Sequence, residues 1–600
     1  MNLKSLLFLG LVLCIPAVNA GATDYDWPTA TQNILAFPTA GGFGKYATGG
    51  RGGQVVTVTT LEDDADDPIE GSLRWALQQY TDEPITVVFN VSGWIILKDI
   101  LRLNRSTGVT IAGQTAPGEG ITIYPRMFSI NSSSNVIIRN IRCRTGSHAY
   151  DGSDLVVGAE TVDQAFNAEN TENIIIDHCT FAWSAEEIIN NQCSHFNTFQ
   201  YCLLHEGNYD AGHHKNSSRA FACQWGGSQS TFHHNMLAHN VSRSPRFQGA
   251  RDDDYIVYNE YVNNVNFNWA NYNSCYGGEN NQTKRYSGHD VNFLNNYYRY
   301  GPATTKNVST PYFAVPTAGS KASYWYFDGN YMEGSTSLTE DNDKGVYVSD
   351  ESLIILEDEF IEPSSFYPNY SFDLEAYTYR YDMESAEDAY QTVLDKVGCI
   401  ERDSIERRII RECTEGTATF SGTWKDGGTY GIIDDPTDVE MVYNTDSSTY
   451  CPVAEESQSR ADGWDTDGDG MPDEWETANG FDPSDASDGN YINAEGYTAL
   501  EKYLCELMGE EISGDFGDAT TIRTVHAVKY GTQVEDGTLT ITSDADVCRV
   551  HIFDELGRCR YTDALSSGTS TIDISNLPKG VYIVWVTDKD GYRNAVKIRN

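Results

Sequence analysis

Short strand-like segments recur through the first part of this chain, and they constrain its fold more than any other feature. Each has a β-branched or aromatic centre and a polar end, often asparagine, and the segments begin at Val136, Ile174, Thr231, Ile256, Asn292 and Tyr326. Most intervals lie between one and two repeat lengths of about 20 to 30 residues. One such turn cannot bury its apolar face alone, so successive turns must stack. We expect a mainly β protein built on a parallel β-helix, since a β-sandwich would not repeat one motif so regularly.

The pattern of apolar and polar residues changes after residue 375, and this change sets the first expected domain boundary. Residues 384–397 and 403–412 carry helical patterns with charge on one face, and another amphipathic helix is expected over 497–508. A Gly-rich acidic linker over 509–521 precedes segments in which apolar and polar residues alternate. We expect three parts, namely a β-helix over 21–375, a small helical extension over 376–515 and a C-terminal β-sandwich over 516–600.

Residues 465–476, D-T-D-G-D-G-M-P-D-E-W-E, match a calcium-binding loop of the EF-hand type. Such a loop needs carboxylates at its first, third, fifth, ninth and twelfth positions, a glycine at the sixth and a backbone carbonyl at the seventh. These positions are held by Asp465, Asp467, Asp469, Gly470, Met471, Asp473 and Glu476. We expect a calcium-clamped spacer between domains, because no Met-rich groove accompanies the loop as a calcium switch would require.

The N-terminus and the overall charge indicate a protein that works outside the cell. Residues 1–20 combine Lys4, an apolar run over 6–15 and a small residue at Ala20, which is typical of a secretory signal peptide. The apolar run is too short for a membrane anchor. A formal net charge of −46 disfavours nucleic acid and anionic membranes as partners. We therefore expect a secreted monomer that meets a membrane only through secretion-linked anchoring at the cell surface.

Loss of Cys14 with the signal peptide would leave twelve of the thirteen cysteines, an even number that a secreted chain can use for disulfides. The candidate pairs are Cys399 with Cys413 and Cys548 with Cys559. Cysteines inside strand-like segments, in contrast, are better explained as buried thiols.

Positive residues are scarce in this chain, so their clustering is informative. One stretch of the expected coil contains Lys215, Arg219, Arg243, Arg246 and Arg251, and an acidic group lies upstream at Asp163, Asp177, Glu186 and Glu187. A lone arginine in a strand is usually a structural ion pair, whereas several cations on neighbouring turns of an acidic protein form a focused anion site. If the turns stack, the two groups lie side by side. That arrangement suits a polyanionic sugar, with calcium bridging carboxylates and the cations holding the polymer.

A series of motifs in the same region is similar to a known family. It begins with G-G-F-G at Gly41, G-G-R-G-G at Gly49 and G-S-L-R-W-A at Gly71, and it continues with T-I-A-G-Q-T-A-P-G at Thr110, I-I-I-D-H-C-T-F-A-W-S-A-E-E at Ile174, T-F-H-H-N-M-L-A-H-N at Thr231 and S-R-S-P-R-F at Ser242. Over residues 35–335 the series resembles family 1 of the polysaccharide lyases, the pectate lyases. The resemblance implies a right-handed parallel β-helix and a calcium-dependent β-elimination that cleaves polygalacturonate to unsaturated oligogalacturonides.

The same resemblance implies roles for individual residues. Arg243 matches the arginine that acts as the base, Lys215 resembles the lysine that engages the substrate carboxylate, and Arg219 and Arg246 are candidates to hold the substrate. Asp163 and Glu186 match calcium-ligand positions, and Glu187 is adjacent. The chain departs from the family pattern at Gln164, where an acidic residue is expected, at Glu186, where the family usually has aspartate, and at Gln248, where a second arginine is expected.

Other functions remain open for the coil. A pectin-directed glycoside hydrolase needs paired carboxylates, which the acidic group could supply. A non-catalytic β-helix that binds glycans is a further alternative. His233, His234 and His239 are alternative bases, although their alternation in a strand favours packing within the turns.

The two parts that follow the coil have resemblances of their own. Residues 380–505 resemble the C-terminal extension usual in secreted lyases of this kind. Residues 522–600, with I-D-I-S-N-L-P-K-G-V-Y-I-V, resemble sorting domains of the type IX secretion system, which are cleaved or anchored on export. A carbohydrate-binding module is the alternative, and it would show an aromatic strip of which only Tyr582 and Trp585 are candidates.

Overall fold

The computed structural model describes most of the chain from residue 34 to residue 600. The described ranges are 34–80, 83–146, 148–150, 155–157, 164–211, 218–250, 256–281, 288–361, 383–439, 441–444, 449–452, 457–517, 530–535, 537–543, 547–554, 559–564, 568–588 and 593–600. The expected signal peptide over residues 1–20 lies outside them. Within these ranges, no helix is both long and apolar enough to cross a membrane.

Three long sheets of parallel strands form the body of the chain. Sheet 1 has eleven strands: β1 Gln54–Val58, β2 Ile85–Phe89, β5 Thr107–Ala112, β8 Ser134–Arg139, β13 Glu172–Asp177, β16 His195–Gln200, β19 Ser228–His233, β22 Ile256–Val262, β25 Gly288–Leu294, β28 Ser323–Asp328 and β30 Ile354–Leu356. Sheet 2 has nine parallel strands and, at one end, the antiparallel β33: β3 Val91–Ile96, β6 Ile121–Tyr124, β9 Ile141–Arg144, β14 Thr180–Ala182, β17 Leu203–His205, β20 Met236–Ala238, β23 Val265–Phe267, β26 Tyr297–Arg299, β29 Tyr331–Met332 and β33 Gln458–Ser459. Sheet 3 has eight strands: β4 Leu101–Arg102, β7 Phe128–Ser129, β12 Phe166–Asn167, β15 Glu187–Asn190, β18 Phe221–Trp225, β21 Arg246–Phe247, β24 Tyr276–Gly277 and β27 Val315–Pro316. The prediction of a mainly β chain built on a parallel β-helix is confirmed.

The six strand-like segments of the sequence all lie on sheet 1, where apolar residues stack from turn to turn inside the coil. Phe199, Phe232, Tyr261, Phe293 and Phe327 occupy one register position on five consecutive strands, and all five are buried. The ring centroids of Phe199 and Phe232 are 5.8 Å apart, and those of Tyr261 and Phe293 are 4.8 Å apart. Neighbouring turns help to cover each ring, so the stack explains why the motif repeats.

Asparagine ends the strands of sheet 1 for two separate reasons. Asn140, Asn263 and Asn295 form corners with φ of 61, 55 and 51°, a left-handed conformation that asparagine tolerates. One residue later, a ladder of buried asparagines joins the turns. The backbone N–H of Asn264 donates to Oδ1 of Asn296 at 2.9 Å, and equivalent bonds join Asn235, Asn264, Asn296, Asn330 and Asn342 in order. Asparagine side chains therefore bond successive turns to one another.

The glycine-rich motifs of the N-terminal segment place its backbone directly against sheet 1. The N–H of Gly44 donates to Thr198 Oγ1 at 2.9 Å, and the N–H of Gly50 donates to Thr110 Oγ1 at 2.8 Å. A Cβ atom at Gly44 would lie 2.0 Å from the carbonyl oxygen of Ile174. Only glycine allows so close an approach, so these motifs attach the N-terminal segment to the coil.

The helical extension packs against sheet 2. The described ranges contain seven α-helices: α1 Leu73–Gln78, α2 Pro302–Asn307, α3 Thr336–Glu340, α4 Ala386–Lys396, α5 Ser404–Glu415, α6 Asp473–Asn479 and α7 Ala499–Glu506. The predicted helices α4, α5 and α7 are confirmed. Val393 and Ile409, from α4 and α5, share a buried cluster with Met236 and Phe267 of sheet 2. The two helices therefore complete the coil's apolar surface.

An ion-pair cluster with little exposure joins α5 to the coil. Asp403 caps this helix and, with Glu406, forms a capping box. Arg142 of sheet 2 donates from Nε to Glu406 Oε2 at 2.8 Å, and Arg144 donates to Asp403 Oδ1 at 3.1 Å. Because Arg142 and Glu406 are almost fully buried, each charge is compensated by the other and would be costly to bury alone.

The candidate disulfide between Cys399 and Cys413 is wrong, because both cysteines are free buried thiols. Cys399 precedes α5, whereas Cys413 lies in its last turn. With a helical rise of about 1.5 Å per residue, the part of α5 that separates the two cysteines is more than about 10 Å long. A disulfide needs Cα atoms within about 7 Å. The side chains of Cys548 and Cys559 lie outside the described residues.

The C-terminal part is a small two-sheet sandwich, as predicted. One sheet has three strands, β34 Tyr530–Glu535, β35 Thr538–Ser543 and β38 Gly568–Asp573, and the other has four, β36 Val547–Asp554, β37 Cys559–Ala564, β39 Val581–Asp588 and β40 Arg593–Arg599. Leu539 and Ile541 from the first sheet and Val550 and Val584 from the second share one buried core. Two antiparallel hairpins lie elsewhere, β10 His148–Tyr150 with β11 Leu155–Val157, and β31 Met441–Asn444 with β32 Thr449–Pro452.

Candidate functional site

Sheet 3 brings the candidate arginine and the candidate carboxylates together at the start of its strands. Glu187 is the first residue of β15, and it pairs in register with Phe221, the first residue of β18. Arg243 lies in the connection that leads to β21, and its carbonyl accepts from the N–H of Cys223 on β18 at 2.8 Å. Arg243 adopts φ of 58°, a left-handed conformation that is uncommon for arginine. Three consecutive turns thus place one guanidinium and one carboxylate side by side.

Two arginine–glutamate pairs share the ring of Phe221. Arg243 forms an ion pair with Glu187, and its Cζ lies 4.3 Å from the centroid of the Phe221 ring. Arg219 Nε lies 3.3 Å from Glu186 Oε2, and its Cζ is 5.2 Å from the same ring. The side chain of Arg243 is 18% exposed, so solvent and ligands reach it. The cations and carboxylates that the sequence paired are therefore neighbours here.

Arg246 extends the positive row by one strand. Its guanidinium lies 2.6 Å from Glu279 Oε1, and its Cζ is 5.6 Å from the ring of Tyr276 on β24. Asp163 and Lys215, which the sequence assigned to calcium and to substrate, lie outside the described residues, as does Arg251. Among the described members of the predicted cluster, Arg219, Arg243 and Arg246 thus share one edge of sheet 3.

Asp177 does not belong to this group, contrary to the expectation from the sequence. It ends β13 on sheet 1, where Arg139 Nε lies 2.7 Å from its Oδ2 and Gln200 donates to its Oδ1 at 2.8 Å. The carboxylate is fully buried. Spacing along the chain suggested proximity to Glu186, but a strand on a different sheet separates them.

Two open grooves are lined by these arginines. One has a volume of about 570 Å³ and is lined by Gln224, Arg243, Arg246 and Glu279, among others. The other, of about 530 Å³, is lined by Tyr209, Arg219, Phe221, Asn271, Trp424 and Lys425, among others. Cations, amides and aromatic rings together suit a sugar polymer with negative charges, because sugars offer hydroxyls, apolar ring faces and carboxylates.

The three candidate histidines are parts of the packed coil. Burial lowers the pKa of His233 well below its usual value, which keeps the ring neutral. Its Nδ1 lies 2.8 Å from Nδ1 of His234, and its Nε2 lies 3.1 Å from Gln200 Oε1. His239 Nε2 lies 2.9 Å from Glu412 Oε2. Each ring is buried against these partners, which supports the packing interpretation.

The predicted calcium loop gathers carboxylates, several of whose oxygens are buried without a hydrogen bond. Oxygens of Asp465, Asp467 and Asp469 lie within 4.8 Å of one another, and so do those of Asp469, Glu476 and Asp488. Both oxygens of Glu476 are buried without a hydrogen bond, and each of the three aspartates 467, 469 and 488 has one such oxygen. Burial of unpaired carboxylates is costly unless a cation joins them. These oxygen donors therefore fit calcium, which prefers about six to eight oxygen ligands.

The other predicted loop residues have structural partners. Asp473 begins α6, and its carboxylate accepts from the N–H of Thr466 at 2.7 Å and from its hydroxyl at 2.6 Å. The side chain of Met471 is buried beside Val88 and Leu500, which leaves only its backbone carbonyl as a candidate ligand. Gly470, with φ of 92°, makes the turn that glycine at the sixth position permits.

Two of the loop carboxylates, those of Glu476 and Asp469, hold protons more tightly than usual. Burial, with the charges of Asp469, Asp467 and Asp488, raises the pKa of Glu476 from 4.5 to about 8. Burial raises the pKa of Asp469 from 3.8 to about 7, and the nearby carboxylates add to this rise. Carboxylates that repel one another in this way favour a divalent cation between them.

Relatives of the chain share most of its length. "Probable pectate lyase C" of Emericella nidulans is 30% identical over 485 residues, which cover 80% of this chain and 94% of that relative. The protein of the same name from Aspergillus flavus is 30% identical over 483 residues, which cover 80% of this chain and 95% of that relative. This chain belongs to the pectate lyase family. The motif resemblance is thus confirmed, and the chain is a polysaccharide lyase.

A solved pectate lyase also aligns with this member of the family. The enzyme from Bacillus sp. N165, in complex with trigalacturonate, aligns with a TM-score of 0.36 and 15% identity. The alignment covers 60% of this chain and 98% of that one.

The C-terminal sandwich of this pectate lyase family member has a separate match. The family model described as "Secretion system C-terminal sorting domain" matches residues 535–598. This match identifies the sandwich as a sorting domain rather than a carbohydrate-binding module. It confirms the expectation of a protein that is secreted or attached to the cell surface.

Sequence reasoning missed several residues of the site. Phe221, Glu279 and Tyr276 contact the predicted arginines, yet they belong to no charge cluster or motif. Asp488 joins the calcium loop from outside its twelve residues. Their position in the fold is the signal that could have identified them, because Phe221 and Tyr276 are each the first residue of a strand of sheet 3, beside the arginines of the site.

Proposed function

We propose that the protein cleaves polygalacturonate by calcium-dependent β-elimination and releases unsaturated oligogalacturonides outside the cell. One observation carries the proposal most strongly. The accessible guanidinium of Arg243 lines the 570 Å³ groove, together with Arg246, in a chain whose net charge is −46. Membership of the pectate lyase family supports the same substrate and the same reaction.

The reaction requires a proton to leave C5 of a galacturonate, next to its carboxylate. Arg243 would receive this proton as the neutral guanidine, after losing a proton of its own to solvent, in the role that the family resemblance implies. Removal of the proton puts negative charge on the carboxylate, and nearby cations stabilise that charge. The C4 glycosidic oxygen then departs and leaves a double bond between C4 and C5.

The remaining cations would hold the polymer in place. Arg219 and Arg246 border the two grooves, and each already carries one carboxylate partner, Glu186 and Glu279. A substrate carboxylate would compete for these guanidinium groups through charge-assisted hydrogen bonds. Lys215 is proposed to engage the substrate carboxylate beside the cleaved bond, on the family resemblance alone.

Calcium at this site would be held by Asp163, Glu186 and Glu187. Carboxylate oxygens are the ligands that calcium prefers, and Glu186 and Glu187 lie on the same strand edge as Arg243. When bound, calcium polarises the substrate carboxylate and so favours loss of the C5 proton. Arginines face both described carboxylates, so metal binding and the arginine pairs are linked.

A second calcium is proposed in the loop of the extension. Asp465, Asp467, Asp469, Met471, Asp473 and Glu476 are its predicted ligands, and Asp488 adds a carboxylate from outside the loop. Met471 of this loop packs on Val88 of sheet 1. Calcium here would stabilise the attachment of the extension to the first turns of the coil.

A hydrolase fits the site less well. Hydrolysis needs one carboxylic acid that donates a proton and a second carboxylate nearby. Glu186 and Glu187 each face an arginine, and a carboxylate paired with a guanidinium is a poor proton donor. The pairing therefore favours elimination.

The test uses purified protein, polygalacturonate and calcium. β-Elimination produces an unsaturated sugar, so ultraviolet absorbance should rise together with the number of reducing ends. Reducing ends without absorbance would establish a hydrolase. Binding to the polymer without either signal would establish a glycan-binding protein, and both outcomes would overturn the proposal.

A further inference from the structure

One wall of the 530 Å³ groove comes from the extension rather than from the coil. Trp424 and Lys425 line it opposite Arg219 and Phe221. These two residues lie in a chain segment, residues 420–433, that folds back on itself through bonds from Gly422 to Ile432 and from Gly431 to Phe420, at 2.8 and 2.9 Å. We call residues 420–433 the extension hairpin.

The extension hairpin is attached firmly to the turns that carry the site. The N–H of Tyr209 donates to the carbonyl of Ile433 at 2.7 Å, and Asn268 Nδ2 donates to the carbonyl of Tyr430 at 2.7 Å. The carbonyl of Tyr209 in turn accepts from the N–H of Arg219 at 2.7 Å. Two bonded steps therefore connect the hairpin to an arginine of the candidate site.

Trp424 is a rigid support at the tip of this hairpin. Its side chain is only 4% exposed and packs with Ala220, Val241 and Ile432 in one apolar cluster. The ring of Tyr430 meets it edge to face, with centroids 5.4 Å apart. A side chain fixed in this way gives the next residue a defined position.

Lys425 is presented to the groove by an unusual backbone. It adopts φ of 51° and ψ of 48°, a left-handed conformation that lysine rarely occupies. Its side chain is exposed, and its Nζ lies 5.8 Å from the centroid of the Trp424 ring. Strained, exposed residues beside a cleft often serve binding. Among the side chains that the structure describes, which exclude that of the adjacent Asp426, no carboxylate forms an ion pair with Lys425, although acidic residues outnumber basic ones by 87 to 41.

We propose that Lys425, positioned by Trp424, binds a carboxylate of the polysaccharide at a sugar away from the cleaved bond. The extension is then part of the substrate site and favours long, de-esterified chains. A uronate polymer offers a carboxylate on each sugar, so a chain that contacts Arg243 and enters this groove brings another carboxylate to the ammonium. This inference rests on the proposed substrate.

The test replaces Lys425 by Asn, which removes the charge but tolerates left-handed backbone. Lys344→Asn is the matched control, because Lys344 is 60% exposed and pairs only with Asp341 among the described residues. KM and kcat are measured on de-esterified polygalacturonate, on highly methyl-esterified pectin and on oligomers of increasing length. Polymer binding is measured separately by affinity electrophoresis, and thermal unfolding checks that each variant is folded.

We expect Lys425→Asn to raise KM on polygalacturonate roughly threefold to fivefold with kcat unchanged, the effect of one partly exposed ion pair. Lys425→Arg should restore the wild-type KM. The increase should disappear on methyl-esterified pectin and on the shortest oligomers that are still cleaved. Equal KM values for Lys425→Asn and the wild type on long chains would overturn the inference, and so would an equal increase on the esterified polymer.

The proposed function and this inference fail in distinguishable ways. Wild-type protein that binds polygalacturonate but yields no ultraviolet product would overturn the proposed lyase reaction. In that case, weaker electrophoretic binding by Lys425→Asn would still support the role of Lys425. Unchanged electrophoretic binding together with full lyase activity would leave the reaction supported and refute the role of Lys425.

Discussion

Removal of calcium from the loop at residues 465–476 should make the stability of the protein fall as pH rises. Without a cation, burial and mutual repulsion raise the pKa of Glu476 to about 8 and that of Asp469 to about 7. In the unfolded chain both acids ionise at about pH 4. Between that pH and about pH 8, the folded protein holds protons that the unfolded chain has released, so unfolding becomes easier as pH increases.

The magnitude follows from the size of the shifts. One pKa unit corresponds to about 1.4 kcal/mol, so the shift of Glu476 from 4.5 to about 8 would give about 5 kcal/mol if the site were fully shielded from water. The shift arises partly from repulsion that Asp469 shares, and solvent at the loop screens it. We therefore expect a loss of about 2 to 3 kcal/mol, fully developed above the raised pKa values and absent below pH 4, roughly.

The assay is urea unfolding of chelator-treated protein at pH 5 and pH 8, followed by tryptophan fluorescence, since Trp475 lies in helix α6 and within the loop itself. Added calcium should remove most of the difference between the two pH values. Glu476→Gln should also reduce it, whereas the control Asp485→Asn, at an exposed position, should not. Metal-free protein that is as stable at pH 8 as at pH 5 would refute the reasoning.

Three further predictions concern the body of the protein. Glu406→Gln leaves the charge of Arg142 buried with less compensation and should lower the free energy of unfolding by about 3 to 5 kcal/mol. The exposed control Glu415→Gln should not lower it. Equal stability of Glu406→Gln and the wild type in denaturant titrations would contradict this prediction. Asn264→Ala interrupts the asparagine ladder and should cost about 1 to 3 kcal/mol in the same titrations, and no loss would show that the ladder is dispensable. Deletion of residues 530–600 should abolish export yet leave lyase activity intact, because the sandwich has its own core; secretion assays and product absorbance test both parts.

The coil could be predicted from the sequence because its pattern is local and repeated. A β-branched or aromatic centre with a polar end, often asparagine, recurs on β8, β13, β19, β22, β25 and β28, and each instance reflects the same need to stack on the neighbouring turns. The calcium loop was readable for a similar reason, since its ligands lie within twelve consecutive residues.

Contacts between distant residues could not be read in this way. Asp177 lies close to Glu186 in sequence, yet the corner at His178 turns the chain from sheet 1 to sheet 2 between them. The groove wall at Trp424 and Lys425 comes from a segment about two hundred residues beyond Arg219. Pairing of such segments depends on how the extension packs on the coil, and no local pattern encodes it.

The central claim is that Arg243 removes the C5 proton of a bound galacturonate. The most direct measurement compares Arg243→Ala with wild type for ultraviolet product formation and, separately, for polygalacturonate binding. The control Arg102→Ala removes an arginine that is 49% exposed on the same sheet. We expect Arg243→Ala to lower the rate by about a hundredfold or more while binding is largely kept, since proton transfer by a positioned group contributes about that much. A variant that keeps more than about a tenth of the wild-type rate would contradict the account.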